Sequence, residues 1–479
     1  MLLASSEAAG HGCYVGQGSG GPIFAAPEHG VLVLGPPRSG KTSGIVIPAV
    51  LHACGPVVAT STKPDVMRVT APARARQGDC LLFDPSGTVE IPRGVQAVGW
   101  SPLSAARTWR GALLVADSMV QAARPKTEGT EAAHWTERAQ ALLAAAFHAG
   151  ALDEMPLRRV VSLIERREGA ALRLPLARES ADRALDLLNG LIATDSREQS
   201  GIWSTASGVI AGYRSEPALA SAELRPPGGD FVEGPHTIYV CASSDHQRVV
   251  APLVVGLLRD LRSSAYARSA AAFGYRTEQP EALAARAPAG AGLPMLFALD
   301  ELAHIAPLHD LPSLVAEGGS QGVVTLACLQ DLSQGDRWGR EADGFLTMFG
   351  SKILLPGIGD TRTLESLSRL CGDVDVHVRS VSSISSVAAA LTGAAQSSHT
   401  DSPRKEARLP VDALARGIPG RAVLMEGARP YVVDLVPWYE SREMNAAVER
   451  GRTAMWQRAG PDTGVGRHPA GRARSPRSR

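Results

Sequence analysis

Lysine is scarce in this chain. It stands only at positions 41, 63, 126, 352 and 405, and the other cationic side chains are arginine. With abundant alanine, that pattern reads as genomic codon bias and carries no functional meaning of its own. It makes Lys41 informative all the same, because lysine is kept where arginine would not serve. Aromatic residues make up 5% of the sequence, too few for base stacking to dominate any contact with nucleic acid. The formal net charge is +1, which excludes attraction of the whole molecule to polyanions and leaves only local sites.

The six cysteines, at 13, 54, 80, 241, 328 and 371, form no CxxC pair and keep no regular spacing. That excludes a disulfide framework and a zinc ribbon, and fits buried thiols in a reducing compartment. No apolar run reaches the roughly 18 residues that span a bilayer. The N-terminus has no basic stretch followed by an apolar core, as a signal peptide would. A cytoplasmic protein is expected. At 479 residues and 44% hydrophobic composition, there is room for two or three domains, or for one large domain with an insertion.

Residues 1–30 are Gly-rich and read as an extended lead-in with a short strand at Ile23 to Ala26. Val31 to Leu34, Val57 to Thr60, Cys80 to Asp84, Thr237 to Cys241, Met295 to Leu299, Val323 to Leu329 and Lys352 to Leu355 are short apolar runs of the kind buried on both faces of a parallel sheet. Between about Ser104 and Leu224 the pattern is helical throughout, for example over 133–152 and 181–193. An α/β fold interrupted by an all-α domain is therefore expected. Another helix is expected over about 249–270. Residues 271–292 read as an exposed loop, the Ser-rich stretch 379–403 as a mobile loop, and the basic C-terminal tail as disordered.

Gly35-Pro36-Pro37-Arg38-Ser39-Gly40-Lys41-Thr42 meets the pattern G-x-x-x-x-G-K-[ST] between a strand and a helix. The glycines let backbone N–H groups turn in around phosphate oxygens, and the helix N-terminus adds its positive end. Residues 35–43, Ser43 included, are the expected nucleotide cradle. Lys41 reaches the β- and γ-phosphates and the Thr42 hydroxyl ligates Mg²⁺. A second motif closes the most apolar later strand with Asp300 and Glu301. Asp300 is expected to hold Mg²⁺ through water, and Glu301 to act as the base that polarises the attacking water. Gln330, after the run 323–329, takes the position from which RecA-like motors sense the γ-phosphate.

The chain resembles the type IV secretion coupling proteins of the TraG/TraD kind, conjugative DNA-transfer ATPases. The resemblance rests on Leu34 to Thr42, Thr60-Ser61-Thr62-Lys63-Pro64-Asp65, Phe83-Asp84-Pro85-Ser86-Gly87, Trp100-Ser101-Pro102-Leu103, Leu299-Asp300-Glu301-Leu302-Ala303, and Leu329-Gln330-Asp331-Leu332-Ser333-Gln334 with Trp338-Gly339. It implies a RecA-like P-loop domain, residues 1–103 and 233–440, interrupted by an all-α substrate-recognition domain at 104–232 and followed by a basic tail at 441–479. It also implies a homo-hexamer that uses ATP and Mg²⁺ to pass single-stranded or relaxase-bound DNA, or secreted protein, to the type IV channel components. Such a protein would dock at the inner face of the cell membrane, with membrane contact made through partners.

Two features depart from the family pattern. Family members carry membrane helices before the P-loop domain, whereas here about thirty residues precede it. Relatives also place an arginine that acts in trans between the Asp-Glu and Gln motifs. Here residues 317–322 hold none, which leaves Arg248, Arg337, Arg340 and Arg362 as candidates. An FtsK/HerA-like DNA translocase is the alternative motor, although it would need no helical insertion. A substrate receptor switched by nucleotide, with little turnover, is the alternative outside motors.

Overall fold

The computed structural model describes residues 12–123, 130–243, 245–278, 292–383 and 397–458. Its centre is a twelve-stranded sheet in the order β2-β1-β14-β13-β10-β3-β9-β8-β4-β7-β5-β6. The strands are β1 Tyr14–Gly18, β2 Gly21–Phe24, β3 Val31–Leu34, β4 Val57–Ser61, β5 Cys80–Phe83, β6 Val95–Ala97, β7 Thr237–Cys241, β8 Met295–Leu299, β9 Val323–Leu329, β10 Ser351–Leu354, β13 Arg421–Glu426 and β14 Arg429–Asp434. From β10 to β6 every pairing is parallel, while β13, β14, β1 and β2 extend the sheet antiparallel. The fold is α/β and RecA-like in plan, with one strand, β9, between the P-loop strand β3 and the acidic strand β8.

The period of two along each strand splits the core into two clusters. Val31, Val33, Ala298 and Cys328 face the layer that holds the P-loop helix, while Leu32, Leu34, Leu299 and Leu329 face the opposite layer. Both faces being covered explains why these strands read as unbroken apolar runs. The second cluster is continuous with the helical segment between β6 and β7, which runs from Pro102–Ala105 to the 3₁₀ turn Gly229–Glu233. The helix Gln247–Glu278 packs on Trp109–Ala123. Trp100, just ahead of the helical segment, is tied to the first of these helices: its indole Nε1 donates to Asp260 Oδ2 at 2.7 Å and its ring leaves no room for a Cβ at Gly256.

Three expectations need correction. The helix after β7 continues through Glu278, so part of 271–292 is helical, and residues 279–291 lie outside those described. The Ser-rich stretch is not a loop throughout. Strands β11 Asp373–Ser383 and β12 Ser397–Ala407 pair antiparallel as a separate ribbon, with 384–396 outside the described residues. The alternation Val374, Val376, Val378, just ahead of the serines, is a period-two signal for the first of these strands. The segment after 440 opens with a helix, Arg442–Arg458, which packs on Asp65–Arg74; the expectation of disorder for 459–479 falls outside the described residues.

At the edge opposite the P-loop, Arg74 is buried without a carboxylate. It donates to the carbonyls of Ala53, Gly55 (2.8 Å) and Pro235 (3.0 Å), to Thr237 Oγ1 (2.8 Å) and to Gln77 Oε1 (3.1 Å). Burial pulls its pKa down, and the five acceptors hold the charge in place. Arg74→Met would leave those carbonyls buried and unpaired. It is expected to cost at least about 3 kcal/mol, read as a lower urea midpoint; an unchanged midpoint would mean that water replaces the guanidinium.

Candidate nucleotide site

In the parallel register Leu34 lies beside Leu329 and Leu299 beside Ala327. The residues that follow these strands, the P-loop, Gln330 and Asp300, therefore emerge together at the C-terminal edge of the sheet, where such folds bind ligands. Gly35 N–H donates to the Leu329 carbonyl at 3.2 Å, which pins the start of the loop. Arg38 (φ 64°) and Gly40 (φ 92°) take left-handed conformations that turn the chain back on itself. A Cβ at Gly35 would lie 2.7 Å from Ser39 Oγ and 2.9 Å from Leu355 Cβ, so the close approach there requires glycine.

The helix beyond starts with a wide π turn, Thr42–Val46, and continues as Ile47–His52. Pro48 stands at the start of the Ile47–His52 stretch. Its ring would clash with the carbonyl four residues back, and the wide turn before it accommodates this. Leu435, just beyond β14, braces the loop from outside: a Cβ at Gly44 would meet it at 2.7 Å.

Lys41 is buried, and its Nζ donates to the carbonyls of Gly35 and Pro36, the latter at 2.9 Å. Thr42 Oγ1 donates to Asp300 Oδ2 at 2.9 Å. Thr60 Oγ1, from the end of β4, donates to the Asp300 backbone carbonyl at 3.0 Å. Burial pushes the Asp300 carboxyl up to about 6. The Thr42 hydrogen bond and the Lys41 charge oppose that rise, and the neighbouring Glu301 adds to it. Glu301 itself is left-handed (φ 54°, ψ 42°), a conformation that a non-glycine residue adopts only when its surroundings fix it. The Cys328 thiol, pushed well above its usual range by burial, feels Asp300, Lys41 and Glu301 together.

A buried carboxylate and a hydroxyl that now satisfy each other are the hard oxygen donors a divalent cation takes. Ser39 Oγ is buried in the cradle without a hydrogen-bond partner among the described residues. Lys41, spending its donors on loop carbonyls, is placed to exchange them for phosphate oxygens. The residues present fit Mg²⁺ and a polyphosphate.

The structure places the expected residues Lys41, Thr42 and Asp300 at one sheet edge, with Thr42 hydrogen-bonded to Asp300. Sequence reasoning assigned no contact to Thr60, Leu355 or Leu435, because only the strand order reveals what lies beside the loop. The Gln334 side chain accepts from Gln330 N–H at 2.9 Å, holding the turn after β9. Arg337 Nη1 donates to the Ala303 carbonyl at 2.8 Å and Trp338 Nε1 to the Leu308 carbonyl at 2.5 Å. The segment after Gln330 is thus clamped to the segment after Glu301. Of the four candidate arginines, Arg362 pairs with Asp336 and Asp343 and Arg337 is held by Ala303. Arg248 and Arg340 are exposed and form no ion pair among the described residues. The Phe83–Gly87 motif is a turn: Asp84 accepts from the N–H groups of Ser86, Gly87 and Val89.

Among the described residues no helix is long and apolar enough to cross a membrane, and no His/Cys/Asp/Glu group forms a metal cluster. The cysteines are free.

A family model described as the TraM recognition site of TraD and TraG matches residues 294–416. No curated protein matches the sequence. Among solved structures the chain is similar to the bacterial conjugative coupling protein TrwBdeltaN70 in its unbound monoclinic form, with TM-score 0.63 and 16% identity over 88% of each chain. It is similar to plasmid coupling protein TrwB in complex with ADP and Mg²⁺, with TM-score 0.61 and 17% identity over 88% of this chain and 89% of that one. It is also similar to TrwB in complex with the non-hydrolysable ATP analogue ADPNP, with TM-score 0.59 and 15% identity over 86% of this chain and 87% of that one.

Proposed function

We propose, for a chain of the TraG/TraD kind that carries this family's recognition-site region at 294–416 on a coupling-protein fold, that it is an ATP-hydrolysing coupling protein of conjugative DNA transfer. The observation that carries the reading is the convergence of Lys41, Thr42 and Asp300 at one sheet edge, with Glu301 next in the chain. Residues 35–43 would hold the triphosphate through backbone N–H groups and Lys41. Thr42 and Asp300 would hold Mg²⁺, which when bound neutralises phosphate charge. Glu301 would accept the proton of the attacking water, and Gln330 would sense the γ-phosphate.

The helical segment between β6 and β7, about 104–232 in the domain scheme, would recognise the cargo, a relaxase–DNA complex or a secreted protein. Its core is continuous with one face of the sheet, so nucleotide-driven shifts of the sheet edge could reach it through packed side chains. Arg248 and Arg340, which form no ion pair among the described residues, are the candidates to reach a neighbouring subunit's nucleotide in a ring. The helical insertion argues against an FtsK/HerA-like translocase.

The test is steady-state ATP hydrolysis by the full chain with and without single-stranded DNA. Hydrolysis that rises several-fold with DNA supports the motor. No turnover at concentrations where the chain oligomerises would sink it in favour of a nucleotide-switched receptor.

A further inference from the structure

Shortly after Glu301 the chain meets the helical segment through a group of charged side chains. His309 Nε2 lies 3.4 Å from Asp117 Oδ2, on the helix Trp109–Ala123. Asp310 Oδ2 lies 2.5 Å from Arg262 Nη2, on the helix Gln247–Glu278, and that guanidinium stands over the Tyr266 ring at 5.9 Å. None of the four paired side chains is more than 34% exposed, so salt and water screen them less than surface pairs. Arg259, one turn before Arg262, belongs to the same group. Burial and Arg262 pull its pKa down, while Asp260, Asp310 and Asp117 oppose this.

Both residues give up something to make these pairs. Asp310 precedes the helix Leu311–Glu317, where an aspartate ordinarily accepts from backbone N–H groups of the first turn. Its side chain makes no such bond and turns to Arg262 instead. His309 keeps Nε2 beside Asp117 while its Nδ1 is buried without a hydrogen-bond partner among the described residues, a cost that a solvated histidine does not bear.

The left-handed backbone at Glu301 persists only where its surroundings over-determine it. The chain beyond it is gripped at Ala303 by Arg337 and at Leu308 by Trp338, both from the segment after Gln330. It is then gripped at His309 and Asp310 from elsewhere: once by the helical segment, once by the helix packed on that segment. We propose that His309 and Asp310 are positioning residues for hydrolysis. Through Asp117 and Arg262 they tie the Glu301 segment to the helical segment, so that cargo engaged there sets the placement of Glu301. The proposal rests on the readings of Glu301 as general base and of the helical segment as cargo receiver. Leu302, Ile305 and Leu308, between the two ends, are buried in the core cluster that the helices share. Closely packed elements of this kind move as units, so a shift at Asp117 reaches Glu301.

The test compares the full chain with Asp117→Asn and His309→Gln, measuring ATP affinity, and KM and kcat with and without single-stranded DNA. Thermal denaturation confirms folding. In both variants kcat with DNA is expected to fall about three- to tenfold, leaving stimulation below about twofold, while KM and Kd for ATP stay within about twofold of the parent. The two changes together are expected to cost no more than either alone, and Asp117→Glu to recover most of the stimulation. In single-turnover hydrolysis by the Glu301→Gln protein, adding Asp117→Asn is expected to change nothing further. Full stimulation in both variants, or rates lowered by one common factor with and without DNA, overturns the joint and leaves the hydrolysis reading intact. A further loss in the Glu301→Gln background overturns action through Glu301. A parent chain that binds ATP without turning it over overturns the hydrolysis reading, and the proposal with it.

Discussion

The Glu301→Gln protein is expected to bind ATP about as tightly as the parent and to turn it over about 10²- to 10⁴-fold more slowly, the usual contribution of a positioned general base. Glutamine keeps the size of the side chain and asks nothing new of the left-handed backbone at 301. What it removes is the proton acceptor, together with one negative charge. That charge now raises the pKa of Asp300, so its loss favours the ionised Asp300 that a cation needs, and binding should survive. Single-turnover hydrolysis measured beside equilibrium ATP binding separates the two effects. Hydrolysis at the parental rate would remove Glu301 from the chemistry.

Lys41→Ala is expected to weaken ATP binding by at least about a hundredfold, the loss of a charge-assisted phosphate contact in a buried site. The Lys41 ammonium is buried and held by two loop carbonyls, with no ion pair among the described residues, so its charge would be available to neutralise phosphate. Lys41→Arg is expected to fail nearly as badly, because a planar fork does not fit where a compact ammonium reaches between two carbonyls. In a chain that elsewhere uses arginine almost throughout, that outcome would explain why lysine persists here. Nucleotide titration of both variants, with thermal denaturation to confirm folding, checks the expectation. Parental affinity in Lys41→Arg would defeat the steric argument.

The parts of the fold that the sequence announces are those buried on both sides. Val31 to Leu34, Met295 to Leu299 and Val323 to Leu329 are strands at those same residues, because two covered faces demand unbroken apolar runs. Of the antiparallel flank only β2 was legible, and β1, β13 and β14 were not, for the converse reason. β14 carries Arg429, Tyr431 and Val432 toward solvent, and its pattern Arg-Pro-Tyr-Val-Val-Asp mixes both environments. The second strand of the ribbon, Ser397–Ala407, holds Pro403 and no apolar alternation, so only its partner makes it a strand. In the site, residue types and spacing singled out Lys41, Thr42 and Asp300, which the fold places at one sheet edge. The supports Thr60 and Leu435 depend on which strands become neighbours, and that is a property of topology.

The neighbours of β3 also fix an order of events. Val31 pairs with Leu326 on one side and Ser351 on the other, so both partners of the phosphate-loop strand lie in the last third of the chain. The helical segment between β6 and β7 precedes both partners in the chain, and its long helices pack on one another before the helix Gln247–Glu278 and the sheet face complete its core. The nucleotide pocket must wait, with the two unpaired edges of β3 open to wrong partners until β9 and β10 are made. Synthesis therefore delivers the helical segment before the strands that flank the phosphate loop, and a nascent chain has no nucleotide pocket until β9 and β10 are made.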